Sequence, residues 1–197
     1  YIAKHPKRKN RLKNYLIKLI FLVTFLSFHS LAALGPDELV KKTAEDVLHI
    51  IKTDKEIQKG NKEKIYKLAE EKILPNFDFN KIARLVLGRN WRSASDKQKK
   101  DFIVQFRTLL LKTYAVALLK YKDQIIEFKP TKISETADIV IVKSEIKQSG
   151  GQPIKVNYAL SKKDENWLVF DIVIEGVSLV TNYRSQFSSE IRRNGID

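Results

Sequence analysis

Residues 167–187 read WLVFDIVIEGVSLVTNYRSQF. From Trp167 to Ile174 the run is apolar but for Asp171, rich in β-branched and aromatic residues, and it stops at Gly176. That composition predicts a strand over Asn166–Glu175. The mixed-polarity segment beyond it predicts a helix from about Ser178 to Arg193. Period-two alternation puts Leu168, Phe170, Ile172 and Ile174 on one face. Trp167, Val169 and Val173 join Asp171 and Glu175 on the other, so the strand meets apolar material on both sides.

Three more strands are expected upstream, over Gln124–Lys129, Ala137–Lys147 and Ile154–Ser161. Pro130, Gly150-Gly151-Gln152-Pro153 and Lys162–Glu165 supply the turns, and connections this short favour an antiparallel meander. The third strand alternates, with Ile154, Val156, Tyr158 and Leu160 on one face and Lys155, Asn157 and Ser161 on the other.

Helices precede the sheet. Leu39, Val40, Ala44, Val47, Leu48 and Ile51 recur at helical spacing after Gly35-Pro36. Shorter helices are expected over Lys62–Leu74, stopped by Pro75, and over Phe77–Leu87, ended by Gly88. Ser95 caps a long helix running to about Tyr121. Its second half, LLLKTYAVALL over Leu109–Leu119, is apolar nearly all round and is expected to be buried on most sides. The fold class is α+β: N-terminal helices, a curved four-stranded antiparallel sheet and a closing helix. Periodicity alone leaves open whether sheet and helices enclose a solid core or an apolar cavity.

The 197 residues suit one domain, and 43% hydrophobic with 30% charged residues is an ordinary globular composition. The absence of cysteine excludes disulfides, a cysteine nucleophile and thiolate metal sites. Residues 1–13 carry Lys4, Lys7, Arg8, Lys9, Arg11 and Lys13 without an acid. An apolar run over Tyr15–Phe28 and the small-x-Ala sequence Ser30-Leu31-Ala32 follow. This pattern predicts a signal peptide over residues 1–32, since the run is shorter than the ~20 residues of a spanning helix. The domain then covers 33–197, helical over about 36–122, with the sheet and final helix over about 123–197. Removing the seven cations of residues 1–32 lowers the formal net charge from +14 to +7. Export argues against nucleic acid as a partner and leaves anionic lipid headgroups or acidic proteins.

The carboxylates Asp171 and Glu175 share a strand face, but four residues of strand separate their Cα atoms by ~13 Å. That exceeds the ~5–9.5 Å of a glycosidase pair. Structural roles are expected instead: Asp171 paired with a basic residue, and Glu175 bonded to backbone at the turn. Gly176-Val177-Ser178-Leu179-Val180 lacks the second glycine of a nucleophile elbow. His49 lies on a charged helix face, and there is no HExxH, phosphate loop or EF-hand pattern. No catalytic residue, metal ligand or cofactor is expected. Aromatic and basic residues interleave over Tyr114–Tyr121 and at Tyr183-Arg184, but the aromatics take core-facing positions.

Two segments carry a resemblance. In residues 84–114, Val86-Leu87-Gly88, Trp91, Gln98, Phe102, Phe106, Leu109-Leu110 and Tyr114 stand at a shared spacing. Trp167, Asp171, Glu175-Gly176-Val177-Ser178 and Arg184 follow in the second segment. Both segments resemble the MlaC, or toluene-tolerance, family of periplasmic phospholipid-binding proteins. Members usually continue past the Gly-Ile-Asp motif seen here at residues 195–197. With Tyr rather than Met at position 1, a sequence trimmed from a longer one is expected.

The resemblance implies a monomeric lipid shuttle in the periplasm, NTF2-like in appearance, with glycerophospholipid as cargo rather than cofactor. Its expected partners are an outer-membrane lipoprotein complex and an inner-membrane ABC transporter complex with MCE domains. It also implies a lipid-binding set: Leu109, Leu110, Tyr114, Leu118, Val140, Val142, Val156, Tyr158, Phe170, Ile172 and, at the mouth, Val177. Arg89, Arg92 and Arg184 are candidates for headgroup or partner contacts, against a plain solvated role. Two other readings stay open. One is an exported enzyme on a cone-shaped α+β fold, which needs a titratable group deep in a pocket. The other is a basic periplasmic adaptor with a filled core.

Overall fold

The structure is a computed structural model and describes residues 34–121, 124–134, 136–148 and 150–196. The expected signal peptide lies outside the described residues. Helix α1 spans Pro36–Thr53, with Pro36 in its first turn, where a missing N–H is harmless. It buries Val40, Val47 and Ile51. The short helix α2 (Lys55–Gln58) is capped by Asp54, and α3 (Lys62–Leu68) by Asn61. The helix expected to reach Leu74 changes its winding at Ala69, becoming a π turn over Ala69–Ile73 and a 3-10 turn over Leu74–Asn76. Pro75 explains the change, because a regular helix cannot be completed against its ring and missing N–H.

Phe77 does not begin the next helix. It bridges Val169 in parallel, and the Asp78 N–H donates to the Val169 carbonyl at 3.0 Å. The Asp78 side chain then caps α4 (Phe79–Leu87). After a single turn, α5 (Asn90–Ser93), a capping box of Ser95 and Gln98 starts α6 (Asp96–Leu118).

Among the described residues the sheet has five strands, one more than expected, in sequential antiparallel order: β1 (Ile125–Phe128), β2 (Ile139–Lys147), β3 (Ile154–Lys163), β4 (Asn166–Ile174) and β5 (Val177–Ser178). Two of its connections are two-residue turns. Asp164-Glu165 (φ 47° and 66°) and Glu175-Gly176 (φ 48° and 81°) hold positive φ at both positions, the geometry that matches strand twist in tight hairpins. Gly176 therefore folds β4 back into β5 before the last helix, α7 (Leu179–Asn194), begins.

The alternation predicted for β4 fails at one point. Leu160 pairs with Val169 and Ala159 with Asp171, so Phe170 is the extra residue of a β-bulge. The bulge turns Val169 onto the inner face with Ile172, where both pack with Val40, Val140, Val142 and Leu160. Phe170 instead joins a second cluster built by α4, α6 and α7 around Ile82, Val86, Phe106, Val180 and Tyr183.

The expected burial of Leu109–Leu119 is also corrected. Only Ala115 of that stretch is buried, while Leu109 is 39% exposed and Tyr114 37%. Helix α6 packs along α3, the π turn and α4, so one side remains open. The helix that lies over the inner face of the sheet is α1.

Candidate functional site

Between α1 and the sheet lies an apolar cavity of about 230 Å³. Helix α1 contributes Leu39, Val40, Thr43, Ala44, Val47 and Leu48, adjacent pairs repeating every four residues and hence one continuous stripe. The middle pair, Thr43 and Ala44, is small, and this leaves space where larger side chains would fill the interface. The sheet contributes Ile126, Ile146, Tyr158, Val169 and Ile172. Ile73, Asn76 and Phe77 close one side, and Leu118 enters from the end of α6.

The polar groups in this lining are mostly satisfied within the protein. The Thr43 hydroxyl donates to the Leu39 carbonyl at 2.7 Å. The Asn76 amide donates to the Thr43 hydroxyl and to the Lys72 carbonyl, both at 3.0 Å. Burial raises the pKa of the Tyr158 phenol, partly offset by the Ser144 hydroxyl, so the phenol is neutral at ordinary pH. No lining residue carries a charge. The site can solvate hydrocarbon but holds no acid, base or nucleophile in an activated arrangement.

Of the residues singled out from sequence, Leu118, Tyr158 and Ile172 line the cavity. Val140 and Val142 are buried behind that wall, and Val156 is buried on the same inner face. Leu110 and Phe170 pack in the α4–α6–α7 cluster instead, with the Lys81 ammonium 4.0 Å from the Phe170 ring centre. The Tyr114 hydroxyl lies 3.4 Å from that of Tyr183, and desolvation pushes its pKa up to about 12. Leu109 and Val177 are exposed away from the cavity, Val177 by 57% on β5.

The main contributor absent from that set is α1. Its signal was present, because the apolar stripe from Leu39 to Ile51 was legible and its weak point at Thr43-Ala44 marks the space. Val169 escaped because the bulge reversed its face.

The two carboxylates stand outside the cavity. Among the described residues Asp171 has no basic partner within 4.0 Å. It accepts from the Ser178 hydroxyl at 2.5 Å and from the Val180 N–H at 3.1 Å, which correctly describes a helix cap rather than an ion pair. Glu175 accepts from the Lys155 N–H, while its own N–H donates to the Lys155 carbonyl at 3.0 Å. The Arg184 guanidinium donates to the Leu85 carbonyl at 2.6 Å, in the last turn of α4, where the helix dipole favours a cation. Arg89 and Arg92 are exposed. Among the described residues no group of three or more acids and histidines is placed to hold a metal ion. No described helix is long and apolar enough to cross a membrane.

Comparison with known proteins agrees with this architecture. The family model described as MlaC protein matches residues 41–197. The toluene tolerance protein Ttg2D of Pseudomonas putida is 26% identical over 180 residues, covering 91% of this chain and 83% of the relative. The intermembrane phospholipid transport system binding protein MlaC of Haemophilus influenzae is 24% identical over 192 residues, covering 95% of this chain and 90% of the relative. Among solved structures, a phospholipid-binding protein from Ralstonia solanacearum, in complex with a phospholipid, superposes with a TM-score of 0.77 at 32% identity. That match covers 83% of this chain and 91% of the other. With a family match across the helices, the sheet and the closing helix, this chain belongs to the MlaC protein family.

Proposed function

We propose that the protein binds glycerophospholipid in the cavity between α1 and the sheet. In this reading it carries the lipid through the periplasm, between an outer-membrane lipoprotein complex and an inner-membrane ABC transporter complex with MCE domains. The observation that carries the reading is a cavity whose lining is mostly hydrocarbon and holds no charged side chain. The phospholipid complex of the Ralstonia relative supports it. Each methylene moved from water into such a site contributes about 0.8 kcal/mol, so a tail of ~14 methylenes contributes roughly 11 kcal/mol before ordering terms. Binding and release need no catalytic group. Asp171 and Glu175 serve the turn into β5 and α7.

The cavity sets a condition on loading. At about 230 Å³ it falls below the ~300–1,000 Å³ of pockets that hold drug-sized ligands, and a two-tailed phospholipid is larger still. A lipid therefore enters as α1 separates from the sheet. The small Thr43-Ala44 contact is the natural place for that separation to begin, since little apolar surface is exposed there.

Native mass spectrometry of gently purified protein, followed by lipid extraction of the same sample, tests the proposal. A discrete added mass matching phospholipid, about one per chain, is expected. A protein that is bare on purification and still bare after incubation with phospholipid vesicles would overturn it and favour the filled-core adaptor.

A further inference from the structure

The cavity continues into surface grooves at two ends, and the ends differ in charge. One end, past Ala44, Leu48 and Ile126, leads to Lys41, Glu45, Glu127 and Lys129. Both cations there are engaged: Lys41 lies 3.9 Å from Glu45, and Lys129 lies 2.9 Å from Glu145 and 3.7 Å from Glu127. Lys147, and more weakly Lys129, hold the Glu127 carboxyl below its usual pKa, and Glu145, with Glu127, holds the Lys129 ammonium above its own.

The other end, past Leu39 and Asn76, leads to grooves between the start of α1, the Pro75 turn and the β3–β4 hairpin. Two of the three acids lining it are already paired, Asp46 with Lys42 at 3.0 Å and Glu71 with Lys67 at 3.8 Å. Lys72 and Lys163 also line these grooves, and neither is within 4.0 Å of a carboxylate among the described residues. Asp164 is the one acid there that is likewise unpaired. The balance of uncommitted charge at this end is one positive unit.

We infer that the phosphate of a bound lipid sits in the groove at the Leu39–Asn76 end, with Lys72 and Lys163 as its counter-charges. The carrier then prefers lipids with a net negative headgroup over zwitterionic ones. This inference rests on the cavity being a phospholipid site. With tails between α1 and the sheet, the headgroup must emerge at one end or the other. At the Ile126 end it would compete with glutamates for lysines already bound to them. At the Asn76 end the lysines are free and stand beside an apolar rim of Leu39 and Trp167. An exposed ion pair shifts a distribution by roughly two- to fivefold, and salt screens it.

The test loads the purified protein from vesicles equimolar in phosphatidylglycerol and phosphatidylethanolamine with matched tails. Extracted lipid is then quantified per chain by mass spectrometry. At low salt the wild-type protein should enrich phosphatidylglycerol about two- to fivefold. The pair Lys72→Gln with Lys163→Gln should bring the ratio close to that of the vesicles at unchanged total lipid. Asp164→Asn, whose side chain suits the positive φ at that turn, should raise the preference, and Lys129→Gln should leave it alone. Equal uptake of the two lipids by the wild type would overturn the inference. So would a preference that survives the double variant or vanishes with Lys129→Gln. Loss of the preference in excess inorganic phosphate, with lipid still bound, would reassign the groove to free phosphate. No lipid in any sample would instead bring down the carrier reading itself.

Discussion

Asp171 and Val180 are nine residues apart in sequence, yet the Asp171 carboxylate accepts the Val180 backbone N–H at 3.1 Å, and its second oxygen takes the Ser178 hydroxyl at 2.5 Å. Ser178 itself caps α7 through the Thr181 N–H at 3.0 Å. One side chain on β4 thus ties the sheet to the start of the closing helix. Asp171→Ala should lower stability by about 1–2 kcal/mol, the usual loss for a helix cap, and leave the lipid per folded chain unchanged. Denaturant unfolding with lipid analysis of the folded fraction checks both. A stable variant that no longer holds lipid would place Asp171 in the binding machinery instead.

Ala44 faces the sheet across the cavity. Ala44→Phe should fill the space and cut bound lipid several-fold, with stability changed by no more than the ~1–3 kcal/mol typical of an added core side chain. Leu109→Ala, on the open side of α6, should keep wild-type lipid content. Equal lipid in Ala44→Phe and wild type would contradict the cavity assignment.

Leu48 on α1 and Ile126 on β1 line the same end of the cavity. These 197 residues contain no cysteine, so within them a Leu48→Cys, Ile126→Cys pair reports on one bridge alone. Oxidised before exposure to vesicles, it should take up no lipid. Reduced, it should load like wild type. Full loading of the oxidised form would show that α1 need not leave the sheet.

Four of the strands, the cap at Ser95 and the closing helix were legible because each rests on local signals: period, turn residues and a capping side chain. The site was less so. A bulge at Phe170 has no marker in LVFDIV, since every residue there but Asp171 suits either face, and the slip exchanged Val169 for Phe170 on the inner wall. Leu109–Leu119 was read as enclosed because an apolar helix usually is, whereas its neighbours cover only part of its circumference. Which helix lies over the sheet depends on long-range packing, which the spacing of Leu39 to Leu48 does not encode. Conversely, the family motif Glu175-Gly176-Val177-Ser178 pointed to the place where strand becomes helix, and the structure resolves it into a hairpin and a cap.

Tyr114 loses solvent against Tyr183, and its pKa rises from 10.0 to about 12. The folded state therefore keeps this proton while the unfolded chain gives it up. Its contribution to stability is complete below pH 10.0 and is lost as pH rises towards about 12. Over that window Tyr114→Phe should lose stability less steeply than wild type. Thermal melts across the alkaline range check the slope, and identical slopes would remove Tyr114 as a contributor.

A crystal structure of the protein loaded with a single phospholipid species tests the central claim most directly. Acyl-chain density between α1 and the inner face of β1–β4, in contact with Ala44, Leu48, Tyr158 and Ile172 and with α1 displaced from the sheet, is the predicted result. Lipid density bound elsewhere, over an α1–sheet interface left closed, would contradict it.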